Sequence, residues 1–359
     1  MRILIDATSL LLRSAGIKTY TYHWIQHLWQ QAGNEQILTF PRINKLTALN
    51  HERSILSPAQ TYPRLALLYA ANLLPALPLL RWMTAKVDVF HVSTQIWHPP
   101  ENTKLTATIH DMTGHLMPEL HTPGNVRAEA SFADSVLRRA DRLIAVSENT
   151  RADAVRLLGL DPERIEVIYS GIPEVYFDAA PKPAARPYVL NLGTIEPRKN
   201  IDTLLDAWQS FRLRNDFDLV IAGATGWSSE KTLARLASRP TGVHYLGYVP
   251  EDELPGLTAG ATAFIYPSLY EGFGFPVAQA MAAGAPVITS NSSCLPEIAG
   301  EGALLVDPRS PAEIQAALEK LLSSPELQQQ LRIAGRARAQ QYRWETCARR
   351  SLEFFRRVG

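Results

Sequence analysis

With 359 residues, 46% of them hydrophobic and 20% charged, the chain is long enough to bury two domain cores. Its formal net charge of +1 provides no broad basic field for nucleic acid, so any phosphate binding must come from local sites. Two cysteines, Cys294 and Cys347, are too few for a disulfide framework and lack the spacing of a zinc site, so reduced thiols and a cytoplasmic location are expected.

The run from Arg2 to Ala7 reads as an opening strand rather than a basic region followed by a long apolar helix, so no signal peptide is expected. A polar loop, Thr8 to Gly16, leads into helical spacing over Tyr20 to Gln31. The apolar segment Leu65 to Leu80 contains Pro75 and Pro78 and, at about 16 residues, falls short of the ~20 needed to cross a bilayer. It reads either as core or, between Arg64 and Arg81, as a candidate for peripheral contact at the inner face of a membrane. Short apolar runs then alternate with helical patterns: VDVFHV, TATIHD, the helical stretch Val126 to Arg139, RLIAVS, the helical stretch Thr150 to Leu158, and IEVIYS. This alternation predicts a parallel sheet with crossover helices.

A second series follows, with YVLNLGT, FDLVIAGA, VHYLGYV, AFIYPS, PVITS and ALLVD as its strands. Between the two lies Ile172 to Pro187, rich in proline and alanine. The expected organisation is one α/β unit over residues 1–175, a linker at 176–187, a second α/β unit over 188–338, and a C-terminal helix at 339–359.

Polar motifs gather at predicted strand ends, where open parallel sheets bind ligands. Gly193 opens the loop that carries Arg198 and Lys199 to the mouth of a helix near Asn200; two cations beside free helix N–H groups suit a diphosphate, although a solvated basic turn capped by Asn200 fits too. Glu271 stands directly before Gly272, Phe273 and Gly274, whose backbone can approach a ligand closely, while Pro276 marks the start of a helix. The plainer alternative is a tight turn in which Phe273 and Phe275 pack. His110 and Asp111 follow TATI, and Gly16 with Lys18 follows the first strand, either as ligand contacts or as locally satisfied loop residues. No G-x-S-x-G elbow, Walker-type P-loop or H-E-x-x-H pattern occurs.

Five ordered blocks, GIKTYTYHWIQHL, TATIHDMTGHLMPE, ADRLIAVSENTRADAVRLLGLDPERIEVIYSGI, NLGTIEPRKNIDTLLDAW and FIYPSLYEGFGFPVAQAMAAGAPVITSNSSCLPEIAGEGALLVDP, resemble the retaining family-4 glycosyltransferases, the glycosyl transferases group 1. The resemblance implies an α/β GT-B fold: two facing Rossmann-like domains with parallel sheets and an interdomain cleft, residues 1–175 on the acceptor side, 188–338 binding the nucleotide sugar, and the 339–359 helix packing back toward the first domain. It also implies a hexosyltransferase-type enzyme that moves a sugar, a mannosyl-like one slightly favoured, from a nucleotide sugar to a saccharide or lipid-linked acceptor in bacterial-type polysaccharide or glycoconjugate synthesis. The configuration would be retained, without a bound metal or other cofactor and with no nucleic acid partner. Under this resemblance Arg198 and Lys199 neutralise the leaving diphosphate, Glu271 contacts the donor sugar, and Gly272, Phe273 and Gly274 offer amides. Gly16 lets backbone approach the donor phosphate or acceptor, Tyr248 and Val249 pack on the nucleobase, and His110 approaches Glu271 when the domains close.

One position departs from the family pattern. Gln279 stands where a second glutamate, eight residues after the first, holds the ribose hydroxyls. An amide both donates and accepts but lacks the strength of a charged acceptor. The competing readings are a catalytically silent nucleotide-binding scaffold of a polysaccharide-synthesis complex, and a sugar-nucleotide epimerase or phosphorylase on the same fold.

Overall fold

A computed structural model describes residues 1–73, 79–94 and 96–359. The chain divides into two compact units, the first made of Met1–Pro118, Pro123–Gly171 and Trp344–Gly359, the second of Glu119–Thr122 and Ile172–Arg343.

The first unit carries a six-stranded parallel sheet in the order β2-β1-β3-β4-β5-β6, with β1 Arg2–Asp6, β2 Gln36–Phe40, β3 Val89–Val92, β4 Lys104–Ile109, β5 Arg142–Ala145 and β6 Ile165–Val167. Helices cover both faces of such a sheet, so β3 and most of β4 and β5 are buried along their length and read as largely apolar runs, the buried polar His91, Thr106 and Thr108 bonding to one another. Strand β2 escaped the sequence reading because it is an edge strand whose first three residues are exposed or half-buried. The core gathers Phe40, Phe90, Val92, Ala107 and Leu143 under the helices. The sheet face opposite meets Trp24, from the helix Gly16–Gln31, and Phe355, from the helix Trp344–Val358, and both rings pack on His91. Trp24 Nε1 also donates to Ser351 Oγ at 2.9 Å, which fastens the last helix of the chain to the first.

The apolar segment Leu65 to Leu80 proves to be the end of one helix, Pro58–Leu73, and the start of another, Leu79–Met83. Its residues 74–78, Pro75 and Pro78 among them, lie outside the described residues. Leu65, Leu67 and Leu68 pack into the core of the first unit. Among the described residues no helix is long and apolar enough to cross a membrane.

The second unit holds another six-stranded parallel sheet, ordered β12-β11-β10-β7-β8-β9, with β7 Tyr188–Leu192, β8 Asp218–Ala222, β9 Val243–Gly247, β10 Ala263–Tyr266, β11 Val287–Ser290 and β12 Ala303–Val306. β7 and β10 are buried throughout, and the one polar side chain inside β7, Asn191, donates to the carbonyl of Ile265 at 2.8 Å.

The unit boundaries differ from those expected. The chain enters the second unit at Ile172, so the proline-rich stretch through residue 187 belongs to that unit, and it leaves after Arg343. There Ile172 bridges in parallel with Arg343, and its N–H donates to the carbonyl of Tyr342 at 2.7 Å. The expected 339–359 helix is also divided, because one helix ends at Ala339 and the next begins at Trp344.

Candidate functional site

The strand order of the second sheet creates a switch point. From β7 the chain winds outward through β8 to β9, then returns to the other side of β7 as β10 and winds away through β11 to β12. The loops leaving β7 and β10 therefore diverge, and the space at their carboxyl ends is where doubly wound sheets hold ligands. Both of the strongest sequence motifs sit there.

The β7 exit begins at Gly193, beside Gly223. A Cβ placed on Gly223 would lie 1.9 Å from the Gly193 carbonyl oxygen, so this close approach admits glycine alone. The loop then turns through a 3-10 segment, Pro197–Lys199, into the helix Ile201–Ser210. Asn200 takes a left-handed conformation, φ 59°, and makes no side-chain cap bond. Its Nδ2 instead donates to the carbonyls of Pro267 and Pro308, at 3.0 and 2.6 Å, which ties the β7 loop to the exits of β10 and β12. The solvated, Asn-capped basic turn is thus excluded: the side chains of Arg198 and Lys199 are only 12% and 11% exposed.

Glu271, 7% exposed, lies between these cations. Its Oε1 accepts from Lys199 Nζ at 2.6 Å, Ser268 Oγ at 2.7 Å and Tyr266 OH at 2.9 Å; Oε2 lies 2.8 Å from Arg198 Nη1. Burial alone would raise its pKa, but the guanidinium of Arg198 and the ammonium of Lys199, with the bonds from Lys199 and Ser268, hold it down to about 2. Arg198 also donates to Glu196 Oε1 at 2.8 Å and to the Tyr270 carbonyl at 2.7 Å. Two carboxylates and two cations therefore balance in a nearly dry cluster, the only arrangement in which burying them is affordable.

Beside this cluster the chain bends into the helix Phe275–Ala283. Gly274 is left-handed, φ 83°, and a Cβ there would approach Leu295 to 2.7 Å. Phe273 stacks edge-on against Phe275 and Tyr342, so its side chain serves packing, as the plainer sequence alternative held. Its N–H and that of Gly274 have no acceptor among the described residues, leaving two donors at the start of the helix. Gln279 lies on this helix, 8% exposed, and its amide makes no hydrogen bond among the described residues.

The structure thus brings Gly193, Arg198, Lys199, Glu271, Gly272, Phe273, Gly274 and Gln279 to the β7 and β10 exits. Tyr248 and Val249 follow the edge strand β9, with β8 between it and β7. Glu196, Tyr266, Ser268 and Ser293, whose hydroxyl accepts from the Glu271 N–H at 3.0 Å, were missed. Polar residues five and three positions before a site carboxylate, at the end of an apolar strand, were the available signal for Tyr266 and Ser268.

In the first unit the corresponding switch point falls between β1 and β3. Asp6, buried at the end of β1, accepts from the N–H and hydroxyl of Thr8 and from the N–H groups of Ser93 and Thr94, joining the two exits. His110 directly follows β4, packed edge-on against Tyr20 at 4.9 Å between centroids. Burial lowers its pKa to about 4 against the opposing pull of Asp111, and its Nε2 has no partner among the described residues. Asp111 turns back to accept from Thr113 N and Oγ1, at 3.2 and 2.8 Å, and so orients the loop. Gly16 begins the first helix in open surroundings. Lys18 is fully buried and donates to the carbonyls of Asn50 and Arg53, both at 3.0 Å, which makes it the pin of that loop.

Comparison with known proteins follows this division. Residues 14–176 match the model of Glycosyltransferase Family 4, and residues 174–338 that of the Glycosyl transferases group 1. Over 283 residues the chain is 31% identical to O-antigen chain mannosyltransferase B of Escherichia coli, a match covering 75% of this chain and 74% of that one. Among solved structures, sucrose-phosphate synthase from Thermosynechococcus elongatus superposes with a TM-score of 0.76 at 20% identity, over 100% of this chain and 99% of the other. HepE of Anabaena in complex with UDP-glucose gives a TM-score of 0.73 at 17% identity, over 100% of both chains.

Proposed function

Because the chain belongs to the group 1, family-4 glycosyltransferases and has their two-domain GT-B fold, we propose that it transfers a mannosyl-type sugar from a nucleoside diphosphate to a hydroxyl of a saccharide or lipid-linked acceptor, with retention of configuration, in bacterial-type glycoconjugate synthesis. The mannosyl donor and the polysaccharide setting draw on the E. coli relative's name, and the nucleoside diphosphate on the UDP-glucose held by HepE.

The observation that carries the reading is the pairing of Arg198 and Lys199 with Glu271 beside the open amides of Phe273 and Gly274. As the bond to the anomeric carbon breaks, negative charge grows on the departing phosphate, and cations fixed in advance stabilise it most at that moment. Glu271 accepts four donor contacts through its two oxygens, which suits a group that aims the cations better than a nucleophile. The acceptor hydroxyl then attacks on the face the phosphate leaves, and the phosphate takes its proton. Arg198 and Lys199 supply the positive charge, so the reaction proceeds without a metal. In the first unit, the neutral, unpartnered Nε2 of His110 is assigned to a substrate hydroxyl.

Incubation with GDP-[14C]mannose or UDP-[14C]glucose and a panel of saccharide acceptors tests the proposal. The expected product is a glycoside with the donor's anomeric configuration, formed equally in EDTA. Transfer unaltered by Arg198→Ala would refute the site assignment. A second reading rests on Gln279: a protein that binds the nucleotide sugar tightly yet releases no labelled product from any acceptor would be a scaffold.

A further inference from the structure

The helix Pro58–Leu73 is amphipathic on two sides, only one of which the fold uses. Its inner side buries Thr61, Leu68, Ala71 and Asn72. Its outer side carries Tyr62, Ala66, Tyr69 and Leu73, spaced i, i+4, i+7 and i+11, a single stripe of an α-helix. All four are exposed, the three large ones by 70%, 54% and 68%. The next helix, Leu79–Met83, adds Trp82, 69% exposed. Four of the nine large exposed hydrophobics among the described residues thus fall within 21 positions of one another, which scattered surface residues do not do.

Charge on the same stretch is of one sign. Between Glu52 and Asp88 the sequence contains no carboxylate, yet it carries Arg53, Arg64, Arg81 and Lys86. Arg64 is held by the carbonyls of Arg42 and Gln60, at 2.9 and 2.7 Å, which leave its charge uncompensated. Arg81 and Lys86 are exposed, and no carboxylate pairs with either among the described residues.

We propose that this stripe and its cations dock the protein, without spanning, on an anionic lipid surface. Tyr and Trp settle at the level of lipid headgroups, where a ring meets acyl chain and a polar tip meets water. Cations beside them are drawn to the negative surface potential. A second copy of the chain is a poorer occupant, because a two-fold contact would set Arg64, Arg81 and Lys86 against their own copies. The sequence segment first considered, Leu65 to Leu80, is refined by this assignment: its leucines at 65, 67 and 68 face inward, and the outward stripe begins earlier, at Tyr62.

The test uses the full chain and sedimentation with sucrose-loaded vesicles of phosphatidylcholine, either pure or with about a third phosphatidylglycerol. Expected is binding to the anionic vesicles at least ~10-fold stronger than to the neutral ones, weakening as salt shortens the screening length. The double variant Tyr69→Ser/Trp82→Ser should lose about 10-fold or more of that binding, and Arg81→Glu/Lys86→Glu a similar amount, with unchanged thermal melts because all four positions are exposed. Wild-type protein left in the supernatant with anionic vesicles, or variants that sediment like the wild type, would overturn the proposal. So would a dimer in sedimentation equilibrium that Trp82→Ser dissolves, which would make the stripe a self-contact. Transfer to a water-soluble acceptor is read separately and stands or falls with Arg198, not with this surface.

Discussion

Lys199 Nζ donates to Glu271 Oε1 at 2.6 Å across 72 residues of chain, and both ends of that bond are almost dry. The contact exists because β7 and β10 are neighbours in space though two strands, β8 and β9, lie between them in sequence. Everything proposed for donor binding depends on it.

Replacing Glu271 by Gln preserves shape and removes the charge, leaving Arg198 with Glu196 as its carboxylate partner and Lys199 with the Tyr266 hydroxyl. Removing one partner of a buried ionic cluster costs about 3–5 kcal/mol, so the urea midpoint should fall accordingly. Transfer should drop by about 10²-fold or more, as when one preorganised group is lost from a site. Glu271 also adds an acid limb. Its folded pKa of about 2 lies below the ordinary 4.5, so its stabilisation is complete above pH 4.5 and vanishes as pH falls toward 2. Glu271→Gln should flatten stability across that window.

Three histidines, His91 buried and His23 and His110 half-buried, act in a different window. His23 and His110 are lowered to about 4 and His91 to about 3, in each case chiefly by burial. The unfolded chain protonates them near 6.5, before the folded protein does, so stability is greatest above pH 6.5 and declines as pH falls from there toward 4. Melting curves at pH 7.5, 6 and 5 should show a progressive drop. His91→Gln, at a ring held between Thr106 Oγ1 and Thr108 Oγ1, both at 2.9 Å, should make the drop shallower while lowering stability at pH 7.5.

Gly171, the last residue before the chain enters the second unit, has no room for a methyl group. A Cβ there would lie 2.4 Å from the Trp344 ring and 2.5 Å from its Cα, and backbone yields little. Gly171→Ala should cost at least the ~1–3 kcal/mol typical of overpacking, measured as a lower denaturant midpoint with an unchanged slope.

Gln279 offers the opposite profile. Its side chain bonds to nothing among the described residues, so Gln279→Ala should shift the melting temperature little while weakening binding of GDP-mannose or UDP-glucose in calorimetry. Gln279→Glu separates two meanings of the amide. A gain in affinity would make it a weakened ribose contact; a loss would make it an amide suited to its own ligand.

Much of this was legible in the chain. Strands with both faces covered wrote themselves as apolar runs, and Gly272 and Gly274 flagged the turn after β10. Arg198, Lys199 and Glu271 were each found from local context. Their mutual saturation was not, because it depends on which loops a sheet order brings together, and Glu196, Tyr266 and Ser268 became visible as site residues only through it. Gln36–Phe40 was lost because half-exposed edge strands carry too weak a pattern. Tyr62 and Trp82 were overlooked because hydropathy counts apolar residues without saying which way they face.

The bond between Trp24 and Ser351 has a consequence for synthesis. Residues 172–343 emerge from the ribosome as one uninterrupted stretch and can complete their sheet and its covering helices in order. The first unit begins earlier yet waits longer, since its sheet keeps Trp24 and His91 without their partner ring until Phe355, which follows the whole of 172–343, has been made. The half of the protein translated first is therefore the half that finishes folding last.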